Sequence, residues 1–141
     1  KFDLANMDAV DLDMSQATID TSQFTRSGND GLDLMGSEIV VTNSYFSNNG
    51  DKGISAGEDT NLLSQSNTFN KNSIAIEVKE KTRATIQGNK FSDNQVAIHL
   101  YKKNWYYGVG ADVLTCDNEM TENTLDIEKD KHSSITEHCV P

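Results

Sequence analysis

Five columns of like residues repeat at a step of about 22 residues, and each repeat carries short runs in which every second residue is apolar. Together they predict an all-β chain: a right-handed parallel β-helix (solenoid) of about six coils of roughly 22 residues. The aromatic column runs Phe2, Phe24, Phe46, Phe69, Phe91 and, after one insertion, Met120. Small residues recur at Ala9, Gly31, Gly53, Ala75 and Ala97, and aliphatic ones at Val10, Leu32, Ile54, Ile76, Ile98 and Ile127. Two polar columns complete the frame: Ser22, Ser44, Asn67, Asn89, Asn118, and Ser27, Asn49, Asn72, Asn94, Asn123. A unit this short cannot bury its own apolar face and must stack on its neighbours. Helical repeats need longer units with a 3.6 period, and the frame of leucine-rich repeats is missing, so the alternating runs GLDL, GISA, AIEV and AIHL read as strands.

Each element follows from that frame. Phe2 already occupies the aromatic column, so Lys1 starts in mid-coil; the expectation is a single β-helix domain over residues 1–141 that is a piece of a longer protein. Coil one continues through Ala9–Met14, Ala17–Ile19 and Phe24, and coils two to four span 29–50, 51–72 and 73–94. In each, the aliphatic residue of the first strand points inward, the Phe fills a corner, and Ala or Gly sits where a bend leaves no room. The asparagines are expected at turns, tolerating left-handed backbone and hydrogen-bonding along their column, a structural rather than catalytic role. Coil five breaks the rhythm: Phe91 to Met120 is 29 residues, because YKKNWYYGVGAD (101–112) is inserted. That loop holds the only Trp and three of the four Tyr. The repeat resumes at VLTCDNEMTEN and runs out in SSITEHCVP, partway into another coil.

Composition narrows the function. A hydrophobic fraction of 35% suits a thin solenoid, and no run is apolar enough to span a membrane. The net charge of −10 argues against nucleic acid as a partner and repels an acidic glycan unless divalent cations bridge it. Cys116 and Cys139 fall one coil apart, about 4.8 Å, inside the range a disulfide spans, and a bridge between them is expected if the protein matures outside the cytoplasm.

NDGLDLMGS, GDKGISAGE and the repeated N-x-F-x-x-N resemble the repeat of the pectate-lyase-like β-helix superfamily, over nearly the whole chain. The run from DGLDLMGS to HLYKKNWYYG is also similar to the β-helix module of bacterial surface proteins that carry a spore-coat-protein-H-like kinase domain; no nucleotide-binding motif occurs in this sequence. The resemblance implies an extracellular, cell-surface or periplasmic setting, polysaccharide and other domains of a parent protein as partners, and a substrate groove along the first strand of the coils. There the outward residues are Asp11, Asp33, Ser55, Glu77, His99 and Glu128, flanked by Asp13, Met35, Gly57, Lys79 and Tyr101. In lyases of the superfamily such carboxylates hold calcium and a basic residue abstracts the proton. Asp11, Asp33 and Glu77 are the candidate calcium ligands, and Lys79 and His99 the candidate bases. Ser55 separates Asp33 from Glu77, and neither Arg26 nor Arg83 joins the column, so a solvated face is favoured over catalysis. The expected function is a non-catalytic β-helix module of a secreted or surface protein that contacts carbohydrate, with a lyase or C5-epimerase fragment acting on an acidic glycan with calcium, and a structural spacer, as alternatives. The candidate ligand-binding residues lie in the loop: Tyr101, Lys102, Lys103, Trp105, Tyr106 and Tyr107. Their structural alternative is a lid, with the aromatics folded over the solenoid.

Overall fold

The computed structural model describes residues 1–138. Three parallel six-stranded sheets wind into the expected right-handed solenoid of about six turns. The first sheet stacks Val10–Asp13, Leu32–Met35, Lys52–Gly57, Ile74–Lys79, Val96–Tyr101 and Leu125–Lys129. The second runs from Gln16–Asp20 to Ser134–Glu137, and the third carries the aromatic column from Phe2–Asp3 to Glu119–Thr121. Register follows the sequence columns: Ile54 pairs with Ile76 and Ile76 with Ile98, Phe46 with Phe69, and Phe91 with Met120 across the insertion.

The core is built from those columns. Leu32, Ile54, Ile76, Ile98, Phe46, Phe69 and Phe91 are all buried. The five phenylalanine rings form an offset stack with centroids 4.8–5.0 Å apart and planes within 10° of parallel. That spacing is simply the strand separation, so like residues on successive coils meet ring on ring. A glycine is required at Gly53, where an added Cβ would lie 2.6 Å from the Ala75 carbonyl oxygen and 3.0 Å from the Phe69 ring.

The asparagine columns are buried ladders. Asn72 uses its full capacity: Oδ1 accepts from the backbone and side-chain nitrogens of Asn49, while Nδ2 donates to the Phe46 carbonyl and to Asn94 Oδ1. One expectation needs correction. The left-handed residue is not the ladder asparagine but the one before it: Ser66, Lys71, Asp93, Asp117 and Glu122 have φ between 53° and 57°, ahead of Asn67, Asn72, Asn94, Asn118 and Asn123. The left-handed residue turns the chain outward, and the next amide, back in ordinary backbone, is aimed into the coil. A further ladder went unread in the sequence. Ser37, Thr60 and Thr82 accept backbone N–H bonds at the first bend from Ser15, Ser37 and Thr60, and Ser133 accepts one from Ala111. Cys139 lies outside the described residues, and so does the expected bridge to Cys116.

Candidate functional site: the outer face of the first sheet and its loop

Register places Asp11, Asp33, Ser55, Glu77, His99 and Glu128 in one outward column, as the spacing requires. The column is not a solvated face along its whole length. Asp11 and Glu128 are exposed and Asp33 is half-buried, but Ser55 and Glu77 are buried, and the groups that cover them make a cluster. Glu77 Oε1 accepts from Lys79 Nζ at 3.0 Å, His99 Nδ1 lies 3.2 Å from Glu77 Oε2, and Lys52 Nζ approaches Oε1 to 3.8 Å. Lys79 also donates to Ser55 Oγ at 2.8 Å. Gly57 makes this reach possible, because the lysine stem lies across it: a Cβ there would come 3.0 Å from Lys79 Cε. Tyr101, two residues along the same strand, stacks on His99 with centroids 4.8 Å apart.

Electrostatics inside the cluster have named causes. Burial works to raise the Glu77 carboxyl, but the His99 hydrogen bond and the Lys79 and Lys52 charges outweigh it and hold the group below its ordinary value, so it stays ionised. Desolvation, then the Glu77 charge, pushes the Tyr101 hydroxyl up to about 12, which keeps it a neutral donor. Asp30, beside Lys52, is the opposite of Glu77: burial pushes it to about 7, since one lysine at 3.7 Å does not offset its desolvation. Lys52 is shared among Asp30, Asp51 and Glu77.

The candidate bases Lys79 and His99 therefore converge, on Glu77. The three candidate calcium ligands do not converge. Asp11 and Asp33 are register neighbours, but Glu77 is two coils further along and already engaged by its cations. Among the described residues no group of three or more His, Cys, Asp or Glu side chains is placed to hold a metal ion.

The coil-five loop borders this face. It leaves Tyr101, descends past the bends of coils four and three, and rejoins the second sheet at Asp112. Asn104 Nδ2 donates to Glu80 Oε1 at 2.7 Å, and the Lys102 backbone N–H donates to Asp130 at 2.9 Å. Desolvation, and then the neighbouring Glu58 carboxylate, raise the Tyr107 hydroxyl above its ordinary value. The tip is a tight turn: Asn104 Oδ1 accepts the Tyr106 N–H, Gly108 N–H donates to the Trp105 carbonyl, and Gly108 takes φ +76°. As a result Trp105 is 83% and Tyr106 78% exposed, which rules out their folding down as a lid. Tyr107 is half-buried and meets Tyr106 edge-on at 5.2 Å. Lys102 Nζ turns back to the Gly108 carbonyl at 3.3 Å and braces the loop, while Lys103 is exposed.

The sequence columns did not reveal Lys52, Glu58 or Glu80 as participants, and they read Ser55 only as a gap between Asp33 and Glu77. Glu80 carried the one usable signal, a charged residue on a bend next to the insertion. A concavity of about 510 Å³ runs over the outer face of the second sheet along Val40, Leu63, Thr85 and Leu114; it is mostly apolar and does not include the first-sheet cluster, where the polar chemistry lies.

No curated protein and no solved structure matches the chain significantly. The profile described as the right handed beta helix region matches residues 3–126, in accord with the three parallel sheets, and the chain belongs to that family.

Proposed function

We propose that this β-helix is a binding module of a larger secreted or surface protein, and that it contacts carbohydrate along the outer face of the first sheet with the coil-five loop as the aromatic border of the site. The observation that carries this reading is the presentation of Trp105 and Tyr106 to solvent from a turn braced against Glu80 and Asp130. Two large aromatics held in water forgo the gain of burial, and a loop braced in this way loses little freedom when a sugar face stacks on them. Tyr101 and His99 extend the aromatic surface onto the sheet.

A lyase or epimerase is the second reading, favoured by the approach of Lys79 and His99 to one carboxylate. Against it, the Lys79 ammonium already donates to Glu77 and Ser55, which suits charge neutralisation better than proton abstraction. Glycan-array retention of the wild-type chain, compared with the Trp105→Ala, Tyr106→Ala double variant, tests the proposal. Retention by the wild type and its loss in the double variant are expected; release of unsaturated products from polygalacturonate or alginate, with or without calcium, would replace the module by the enzyme.

A further inference from the structure

Taking the carbohydrate reading as given, we infer that the glycan is an uncharged polysaccharide whose hydroxyls are read by carboxylates. Among the described residues, the cations at the centre of the sheet face are committed to protein partners, and Lys129 on the last strand turns to the Asp130 carbonyl at 3.4 Å. Lys52 is held by Asp30, Asp51 and Glu77, Lys79 by Glu77 and Ser55, and Lys102 turns inward to the Gly108 carbonyl. On the loop only Lys103, among the described residues, projects a positive charge with no such partner. The carboxylates are the outward groups: Asp11 and Asp13 are exposed, Asp33 half-buried, and Glu128 exposed at the other end of the column. Asp11 and Asp33 are register partners, and Asp13 lies two residues along the same strand as Asp11, so the lower coils present a concentrated negative field.

A polyuronate lying beside Trp105 and passing down the sheet would meet that field with one lysine in its favour, on a chain of net charge −10. A neutral sugar meets the reverse. Its hydroxyls donate, ionised carboxylates only accept, and O–H···O⁻ bonds are about twice as strong as their neutral counterparts. The geometry suits both contacts at once. The loop is braced on Glu80 at the bend of coil four, and Asp33 is an outward carboxylate two coils below it, about 9.6 Å at two strand spacings.

Affinity electrophoresis of the 141-residue chain tests the inference, with gels containing galactan, mannan or mixed-linkage β-glucan on one side and polygalacturonate or alginate on the other. Each is run at low and high sodium chloride, with and without calcium. Expected are retention on an uncharged polymer that salt barely changes, loss of that retention in the Trp105→Ala, Tyr106→Ala variant, and a weakening of about tenfold in Asp33→Asn, the size of one charge-assisted hydrogen bond. Retention on a polyuronate that falls with salt or requires calcium, or tighter binding by Asp33→Asn, would overturn the uncharged ligand while leaving the carbohydrate site standing. An Asp33→Asn variant that binds the uncharged polymer unchanged would overturn carboxylate readout. Retention on none of the panel, or retention indifferent to the aromatic double change, would remove the carbohydrate reading itself. Circular dichroism of both variants establishes that any loss arises in the folded chain.

Discussion

Coils four and five start alike and part after one strand. Ile74–Lys79 and Val96–Tyr101 pair in register, with the same inward and outward alternation. Coil four then reaches the second sheet through the three residues 80–82, with Glu80 and Lys81 both left-handed at φ 55° and 68°. Coil five takes ten residues, 102–111, for the same step, and its ladder resumes where the Gly110 carbonyl accepts from Lys81 N–H at 2.8 Å. The comparison teaches where the fold resides. Inward columns and ladders set the coil, while a bend is free to lengthen provided the backbone returns to the same hydrogen bonds. Stability is thus expected to lie in the columns and recognition in the lengthened bend.

The largest expected effect breaks the columns. Ile76 is fully buried between Ile54 and Ile98, and Ile76→Asp would place a charge there without a partner, at a cost of several kcal/mol. The variant should be unfolded by circular dichroism. Next is the ladder. Asn72→Ala would leave the Phe46 carbonyl, the Asn49 amide groups and one acceptor site on Asn94 without their partner, for a loss of about 3 kcal/mol in urea unfolding.

A pH experiment sharpens the contrast between two buried acids. Asp30 titrates near 7 in the folded chain but near 3.9 when unfolded. Between those values the folded state binds more protons than the unfolded one, so stability falls as pH rises through that window. Asp30→Asn removes that slope. It should exceed the wild type by about 1–2 kcal/mol at pH 8, once the lost attraction to Lys52 is allowed for, and lose the advantage near pH 4. Glu77, held below its ordinary value by His99 and two lysines, contributes the opposite trend at lower pH.

The smallest effect adds a rung. Ser27 occupies an asparagine position, donates its N–H to Asn49 Oδ1, and has a buried hydroxyl with no partner among the described residues. In the next coil Asn49 Nδ2 reaches the Phe24 carbonyl, so the amide introduced by Ser27→Asn should reach Phe2 in the same way. A gain of about 0.5–1.5 kcal/mol is expected, read as a higher melting temperature.

Much of this architecture was legible because like residues had to meet their own kind one strand spacing away. Phe46, Phe69 and Phe91, or Ile54, Ile76 and Ile98, announce both their register and their burial. The hydroxyl ladder of Ser37, Thr60, Thr82 and Ser133 was harder to see: serine and threonine serve equally well, and Ala111, past the insertion, interrupts the column between Thr82 and Ser133. The candidate site was half legible. Spacing put Glu77, Lys79 and His99 on one face, yet nothing in it said that Lys52 would fold up from the coil below, or that Gly57 would let Lys79 lie flat, so the face reads as solvated when its centre is buried. The loop aromatics were visible by composition alone. Their direction depends on Asn104 and Gly108 closing a turn, and on Glu80 bracing it, none of which belongs to a repeating column.

The most direct test of the division between columns and bend is the urea midpoint of the Trp105→Ala, Tyr106→Ala double variant. If these rings serve recognition only, the unfolding free energy should stay within about 0.5 kcal/mol of wild type. A loss above about 1.5 kcal/mol, the scale of a packed side chain, would show that the loop belongs to the core after all.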